Sequence, residues 1–433
     1  MICDNLTLSP DGTLLFAGRS PRELLEKYGS PLYVMDEGRI RHNMRLYTAA
    51  AKEAFGENAE ILYASKACSF KEMYRIAQSE NVGVDVVSAG EIHTAKAAGF
   101  DMSRAHFHGN NKTQSEISYA FDCSVGYFVV DHIDELDAIN REAARRGVTQ
   151  SVMLRITPGI DGHTFEAVST GQIDSKFGNA IETGKAEEIT RHALSLENLS
   201  LEGFHCHVGS QVFDSECFFK CADIMIKFVS DMRSKLGYTA KKLDLGGGYG
   251  VRYRESDPTI DIAENILMVG RHVKAAIEKY DLPMPAIILE PGRSIVADAG
   301  MTLYTVGSIK QIPGYKNYVA VDGGMTDNPR YALYKAPCTI VCPEKMKEKA
   351  DFPCSVVGKC CESGDILQEN VYLPSSIKRG DILAVLTTGA YNYSMSSNYN
   401  RIPRPPVVML RPDKADSLVV RRETLDDIIR NDM

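Results

Sequence analysis

The chain has 433 residues, of which 44% are hydrophobic and 24% are charged, and its acidic residues outnumber the basic ones by 57 to 49. This composition is typical of a folded globular protein and excludes a disordered one, and no apolar run reaches the roughly 18 residues that a membrane helix needs. The absence of a basic cluster argues against nucleic acid and membrane surfaces as partners, and favours a small molecule.

The cysteines carry little structural information. They number eleven, and the N-terminal residues lack a basic region followed by an apolar stretch, so we expect a cytoplasmic protein without a disulfide framework. Cys217 and Cys221 lie four residues apart in an apolar helical stripe, which predicts two small core side chains. The spacings among the later cysteines do not include C-x2-C, so we expect no metal site.

Eight short β-rich segments alternate with helical patterns over about 230 residues. The segments are 59–64, 82–87, 105–109, 126–131, 151–158, 201–208, 241–247 and 286–292. This alternation predicts an α/β fold, specifically a closed (β/α)8 TIM-like barrel. An open doubly wound sheet is the alternative, but it would usually carry a phosphate loop after an early strand, and none follows residue 64.

The pattern changes after residue 293. Short strands separated by Gly, Pro and Asp continue without a long helix as far as "TLDDIIRN", which predicts a C-terminal all-β domain. The opening segment is also β-like and is expected to join that domain. We therefore predict an N-terminal β segment of residues 1–36, a barrel of residues 37–284 and a β-domain of residues 285–433.

Polar residues cluster where four of the predicted barrel strands end. Lys66 follows the first strand, "HCHVGSQ" the sixth, "LGGGYG" the seventh and "EPGR" the eighth. Barrel enzymes carry their catalytic groups at these C-terminal ends. Because side chains alternate along a strand, His205 and His207 are expected on one face, and Glu290 on the face opposite Leu289.

These residue types together suit one cofactor. A lysine can form a Schiff base with a carbonyl, while glycine N–H groups and the guanidinium of Arg293 suit a phosphate. A carboxylate such as Glu290 suits a pyridinium nitrogen, so the set predicts pyridoxal 5'-phosphate. Taken singly, such a lysine is more often a surface residue and such glycines a turn; their joint placement at one barrel mouth carries the prediction.

Eight segments closely resemble the fold-type III, pyridoxal-phosphate-dependent diaminopimelate decarboxylases. In chain order they are YASKA, VDVVSAGE, HCHVGSQ, LDLGGGYG, EPGRSIV, VDGGMTDNPRYALY, CESGD and TTGAY. The resemblance implies the barrel-plus-β architecture of the alanine racemases and decarboxylases. It also implies a carboxy-lyase that converts meso-2,6-diaminopimelate to L-lysine and CO2, the last step of lysine biosynthesis.

The resemblance further implies roles for individual residues. The catalytic residues would be Lys66, His207 and Cys361. The cofactor would be bound by Lys66, His207, Ser210, Gly247, Gly248, Glu290, Gly292, Arg293 and Tyr391. The substrate would be bound by Arg293, Arg330, Tyr334, Glu362 and Tyr391. In the family, Cys361 and Glu362 serve the neighbouring subunit, which implies a homodimer; the adjacent Cys360 leaves open which thiol acts.

Three other functions remain in view. A related decarboxylase of ornithine, arginine or D-lysine would share the cofactor groups, but it has no distal carboxylate for Arg330 and Tyr334 to bind. An alanine racemase typically places an arginine at the ring nitrogen, and Glu290 argues against it. A non-catalytic paralogue that only binds the cofactor is expected to have lost Lys66 or Cys361, and both are present.

Overall fold

The structure, a computed structural model, describes residues 2–160 and 175–433. The chain divides into two units. The barrel unit comprises Asn43–Gly250 and Thr259–Ser294, and the second unit comprises Met1–His42, Val251–Pro258 and Ile295–Met433.

The regular elements are numbered in chain order. The strands are β1 (Leu6–Leu8), β2 (Leu14–Phe16), β3 (Leu32–Asp36), β4 (Glu60–Ala64), β5 (Gly83–Val86), β6 (Ala105–Phe107), β7 (Tyr127–Val130), β8 (Gln150–Thr157), β9 (Asn179–Ala180), β10 (Leu199–His205), β11 (Lys242–Asp244), β12 (Ala286–Leu289), β13 (Gly300–Ile312), β14 (Lys316–Val321), β15 (Ile340–Val341), β16 (Ala350–Val357), β17 (Ile366–Pro374), β18 (Ile382–Leu386), β19 (Val407–Leu410) and β20 (Ser417–Val420). The helices are α1 (Pro21–Tyr28), α2 (Glu37–Phe55), α3 (Lys71–Ser79), α4 (Ala89–Ala98), α5 (Gln114–Asp122), α6 (Ile133–Arg146), α7 (Lys185–Leu194), α8 (Ser215–Leu236), α9 (Ile262–Lys279), α10 (Arg293–Val296), α11 (Arg330–Tyr334) and α12 (Leu425–Ile429). Within the described ranges, no helix has both the length and the apolar character needed to span a bilayer.

The barrel unit contains a closed ring of eight parallel strands. The ring runs β4, β5, β6, β7, β8, β10, β11 and β12, and β12 pairs with β4 to close it, while the short β9 adjoins β8. Both faces of these strands are covered, so their sequences read as apolar runs; all four residues of β5 are buried, for example. The predicted (β/α)8 barrel is confirmed.

The helices around the ring follow the expected patterns. Helix α4 begins at the N-cap Ser88 and ends at Gly99, which adopts a left-handed conformation. Helix α8 carries Cys217 and Cys221, which are 3% and 2% exposed, so both are core side chains as predicted.

The second unit is built on a mixed sheet. Its strands run in the order β17, β16, β14, β13, β3, β19 and β20, and β18 also pairs with β13. The N-terminal strand β3 therefore lies between β13, which it pairs antiparallel, and β19, which it pairs parallel. The domain boundaries expected at residues 36/37 and 284/285 stay a prediction; the two units observed here keep β12 in the barrel unit.

A buried ion pair fixes the loop that follows β6. Lys112 Nζ donates to the carbonyl oxygens of Gly109 at 2.9 Å and Val129 at 2.8 Å, and to Glu135 Oε1 at 2.6 Å. The side chains of Lys112 and Glu135 are each 1% exposed. This anchor holds the loop that begins at His108, a residue of the barrel mouth.

Replacing Lys112 with methionine is expected to lower the free energy of unfolding by about 3 kcal/mol, because the Glu135 carboxylate would remain buried without its partner. Urea denaturation followed by far-UV circular dichroism measures the change. The double variant Lys112→Met, Glu135→Leu is the control and should recover most of the loss. A single variant as stable as the wild type would show that the pair contributes nothing to stability.

Candidate active site

The polar residues predicted at the barrel mouth lie on adjacent strand ends. Lys66 is in a single 3-10 turn, Ser65–Ala67, directly after β4, and His207 follows β10 by two residues. Glu290 follows β12, and its backbone N–H donates to the carbonyl of Gly246 at 2.8 Å. The structure thus places the lysine, the glycine loop and the carboxylate at strand ends of one ring.

Lys66 is paired with a carboxylate inside the barrel. Its Nζ lies 2.6 Å from Asp85 Oδ2, and the Asp85 side chain is fully buried while that of Lys66 is 43% exposed. Asp85 is the third residue of β5, so a strand of the ring fixes its position. The ion pair directs an amine to the mouth while leaving it accessible from solvent.

A glycine loop and an arginine form a cradle suited to an anion. Arg293 donates to Ser210 Oγ through Nε at 3.2 Å and Nη2 at 3.0 Å. Gly248 has a φ of +115°, which strains any side chain, and a Cβ there would lie 2.1 Å from the carbonyl oxygen of Gly209. A Cβ on Gly247 would lie 2.2 Å from the carbonyl oxygen of Glu290. Only glycine fits these positions.

Gly292 packs beside the same loop. A Cβ on Gly292 would come within 2.9 Å of the Cβ of Ala64, the last residue of β4. The backbone N–H of Ala64 donates to the carbonyl of Pro291 at 3.1 Å. Gly292 therefore lets the segment carrying Arg293 pack closely against the end of β4, which Lys66 follows.

His207 is a neutral ring at the mouth. Its Nδ1 accepts a hydrogen bond from the backbone N–H of Gly247 at 3.3 Å, which fixes the imidazole over the glycine loop. Burial lowers the pKa of His207 well below its usual value, and the cations of Arg155 and Lys66 lower it further. An uncharged, flat side chain is therefore presented beside Lys66.

Four buried side chains, His108, His205, Asp244 and Glu290, form what we call the carboxylate cluster. His205 Nε2 lies 3.0 Å from Glu290 Oε2, and His108 Nε2 lies 2.7 Å from Glu290 Oε1. The His108 and His205 rings meet edge to face with centroids 4.8 Å apart. Because these residues follow or end β6, β10, β11 and β12, the cluster spans the interior of the ring.

The protonation states in the cluster follow from burial and proximity. Burial lowers the pKa of His205 to about 4 although Glu290 opposes the shift, so the imidazole is neutral and donates through Nε2. Burial also favours a raised pKa for Glu290, but His108 and His205 outweigh it and hold that pKa well below the usual value. Burial, with the adjacent Glu290 carboxylate, raises the pKa of Asp244 well above its usual value. Glu290 is thus ionised near pH 7.

Arg330 and Tyr334 begin and end helix α11 of the second unit. The Arg330 guanidinium carbon lies 3.5 Å from the centre of the Tyr253 ring, and Tyr253 is 1% exposed. A guanidinium stacked on a buried aromatic ring keeps its planar fork in one orientation. The arrangement suits recognition of a carboxylate.

The other predicted residues of the second unit lie in loops. Cys361 and Glu362 are exposed in the turn after β16, where the Cys361 backbone N–H donates to Asn400 Oδ1 at 2.8 Å. Cys360 is half-buried, and burial together with Asp365 raises its pKa to about 11. Tyr391 has a φ of +58°, a left-handed conformation that is unusual for a tyrosine.

The barrel-mouth residues fit pyridoxal 5'-phosphate. The fit is tested by an acceptor that the fold leaves open, since the buried Glu290 Oε1 accepts no aligned hydrogen bond from any described residue. A pyridinium N–H is a donor of the matching type. The Lys66 amine and the cradle of Ser210 and Arg293 supply the other two groups that the cofactor requires.

Three residues of the site were not predicted from the sequence. Asp85, His108 and Asp244 each contact a predicted residue or its cluster. Asp85 and Asp244 offered one signal, since each is a lone acidic residue in an apolar strand, where a charge is rarely tolerated without a partner. His108 was preceded by His106 two residues earlier, but nothing in the sequence related it to Glu290.

Comparison with known proteins gives concordant matches over nearly the whole chain. Residues 39–297 match the family described as "Pyridoxal-dependent decarboxylase, pyridoxal binding domain". The chain is 45% identical over 422 residues to a diaminopimelate decarboxylase of Bacillus subtilis (strain 168), covering 98% of this chain and 95% of the relative. It is 43% identical to one of Staphylococcus aureus (strain COL), covering 98% of each.

A solved structure agrees with these relatives. The diaminopimelate decarboxylase of M. jannaschii, in co-complex with L-lysine, superposes with a TM-score of 0.90 at 34% identity, covering 99% of this chain and 98% of that one. A lysine/ornithine decarboxylase of Vibrio vulnificus, at 22% identity and a TM-score of 0.76, shares the fold.

Proposed function

The chain belongs to the diaminopimelate decarboxylase family of pyridoxal-dependent decarboxylases, and on that basis we propose the reaction it performs. It removes one carboxylate from meso-2,6-diaminopimelate, at the D-configured centre, and yields L-lysine and CO2. The observation that carries this proposal is the barrel mouth, where Lys66, the anion cradle and the open acceptor of Glu290 lie together in the part of the chain that matches the family.

The cofactor's chemistry requires three groups from the chain. When bound, pyridoxal 5'-phosphate would supply an aldehyde for an amine and a ring that can accept an electron pair. Lys66 Nζ would hold the aldehyde, and Asp85 orients that amine at 2.6 Å. Ser210, Arg293 and the N–H groups of the glycine loop bind the phosphate, and Tyr391 is proposed to join them.

Glu290 and His207 are proposed to contact the pyridine ring of the cofactor. An ionised Glu290 would accept a hydrogen bond from the ring nitrogen and would favour its protonated form. His207, neutral and fixed by Gly247, provides a flat face for stacking. Because His207 carries no charge, it does not compete with the substrate's ammonium for carboxylates in the site.

We propose that two sets of groups recognise the distal end of the substrate, one binding its carboxylate and the other its ammonium. Arg293, Arg330 and Tyr334 bind the distal carboxylate, with Arg330 held flat on Tyr253. Glu362 binds the distal ammonium. A substrate without the distal carboxylate lacks the partner of the guanidinium, and this favours diaminopimelate over ornithine, arginine or D-lysine.

The final proton at the substrate carbon is proposed to come from Cys361, from Lys66 or from a water that they position. Cys361 is exposed, whereas the Cys360 thiol is half-buried with a pKa raised to about 11. An accessible thiol can reach a substrate and a half-buried one of high pKa is poorly suited to exchange protons near pH 7. These contrasts support Cys361 as the thiol that acts.

We further propose that the protein works in the cytoplasm as a homodimer in which Cys361 and Glu362 serve the neighbouring subunit. Mixing the variants Lys66→Ala and Cys361→Ala, each inactive alone, should then restore up to roughly a quarter of wild-type activity. Half of the randomly reassorted dimers are mixed, and one of their two sites is intact. Turnover is measured after unfolding and refolding the mixture.

A matched control combines two lesions of the barrel unit. Lys66→Ala mixed with Glu290→Gln leaves a defect in both sites of every mixed dimer, so no activity should return. Mixed dimers of the first pair that stay inactive, verified by two affinity tags, would mean that each chain builds its own site.

Product analysis tests the proposed reaction itself. Purified holoenzyme is incubated separately with meso-diaminopimelate, ornithine, arginine and D-lysine, and the products are separated by chiral chromatography. L-lysine and CO2 in equal amounts from diaminopimelate, with little product from the other three, is the expected result. Faster release of CO2 from ornithine or arginine would replace this function with that of a related decarboxylase.

A further inference from the structure

The carboxylate cluster contains more than the mechanism uses. Among the four, Glu290 alone has a proposed contact to the cofactor, yet His205 is 1% exposed and its Nε2 lies 3.0 Å from Glu290 Oε2. Burying four polar side chains at the centre of a barrel is costly unless each has a partner. The hydrogen bonds within the cluster indicate how the Glu290 carboxylate is oriented.

His205 fixes one oxygen of Glu290 and leaves the other available. Its Nε2 lies 3.0 Å from Oε2, so the neutral ring carries its proton on Nε2; its Nδ1 has no hydrogen-bond partner among the described residues. Oε1 then faces the edge of His108 at 2.7 Å without an aligned bond. A carboxylate anchored through one oxygen presents the second as an acceptor.

Asp244 is held by the glycine loop rather than by Glu290. Its Oδ1 accepts from the backbone N–H of Gly246 at 2.8 Å, and its Oδ2 accepts no hydrogen bond from the described residues. The orientation of the Glu290 carboxylate therefore comes from His205.

We propose that His205 is a positioning residue that holds Glu290 as a hydrogen-bond acceptor, and that it thereby makes the site selective for a cofactor ring whose nitrogen can be protonated. This inference rests on the proposed role of Glu290. His205 orients the carboxylate through Nε2, at 3.0 Å from Oε2.

The test compares two cofactors on the apoenzyme. One is pyridoxal 5'-phosphate, and the other is its 1-deaza analogue, in which carbon replaces the ring nitrogen. Equilibrium dialysis gives the affinity for each, independently of turnover. The wild type is expected to prefer pyridoxal 5'-phosphate by about tenfold or more, the range for one charge-assisted hydrogen bond.

Matched substitutions separate hydrogen bonding from packing. His205→Gln keeps a donor at the Nε2 position and should retain the preference, whereas His205→Leu should reduce it to near parity. Asp244→Asn is the control: it keeps an acceptor for the Gly246 N–H and leaves the contact between His205 and Glu290 in place, so it should retain the preference. Affinity for the analogue should stay within about threefold of wild type in all three variants, because the cradle and Lys66 are unchanged.

The outcomes separate this inference from the function on which it rests. If Glu290→Gln removes the preference but His205→Leu keeps it, the inference is overturned and the role of Glu290 stands. If Glu290→Gln also keeps the preference, Glu290 does not bind the ring nitrogen, and both the inference and the proposed role of Glu290 are disproved. A stoichiometric divalent metal that competes with the cofactor would assign His108, His205 and Glu290 to a metal instead, which also overturns it. If His205→Leu does not fold, His205→Asn takes its place, because its shorter amide does not reach the Glu290 carboxylate.

Discussion

Replacing Lys66 with alanine is expected to abolish turnover of diaminopimelate and to remove covalent attachment of the cofactor. No other amine among the described residues is paired with Asp85, so no group can take over the bond to the aldehyde. Borohydride reduction of the wild-type holoenzyme, followed by peptide mass spectrometry, should place the cofactor on Lys66. The variant should bind the cofactor reversibly and lose it on dialysis.

Two controls accompany this variant. Lys66→Arg keeps a cation opposite Asp85 but cannot form the bond, so it should be equally inactive while preserving the fold. Lys71→Ala removes an exposed lysine at the start of α3, and it should behave as the wild type. Wild-type turnover in either Lys66 variant would disprove the role given to this lysine.

Replacing Arg330 with alanine is expected to lower kcat/KM for diaminopimelate by about 30-fold to several thousandfold. This range corresponds to about 2–5 kcal/mol, the free-energy cost of removing one member of a desolvated charge pair. The slow decarboxylation of lysine or ornithine should change far less, because these substrates have no distal carboxylate. Steady-state kinetics on each substrate measure this difference, and the visible absorbance of the bound cofactor should stay unchanged.

The matched control is Arg401→Ala. Arg401 is an exposed arginine of the same unit whose ion pair with Asp432, at 2.9 Å, lies on the surface. It should leave both kinetic constants within about twofold, as surface pairs contribute little. An Arg330→Ala enzyme with normal kcat/KM for diaminopimelate would show that this guanidinium does not read the substrate.

The barrel could be predicted from the sequence because its determinants are local. Each strand is buried on both faces, so it appears as a short apolar run such as "VGVDVV", and each helix shows its own period and caps. The sequence did not indicate which segments of the chain belong to which unit. Residues 251–258 belong to the second unit although they lie between two barrel segments, and their composition does not set them apart.

The active-site residues also divide into those that the sequence alone indicates and those that only the fold reveals. Lys66, His207, Glu290 and Arg293 could be named because each stands at a strand end where its chemistry has a use. The links of Glu290 to His108, His205 and Asp244 could not, since they join residues from four strands and depend on barrel closure. Sequence spacing gives the positions of chemical groups, whereas protonation and orientation come from what the fold places next to them.

The position of β3 has a consequence for synthesis on the ribosome. All five of its residues are buried between β13 and β19, yet Val407, the first residue of β19, follows Asp36 by about 370 residues. At about 5–20 residues per second, β3 waits about 20–70 s for its second neighbour. The barrel unit is complete once Ser294 has emerged. Until β19 emerges, β3 keeps one edge without its neighbour, so proteolysis of stalled nascent chains should cut near β3 until Leu410 has left the exit tunnel.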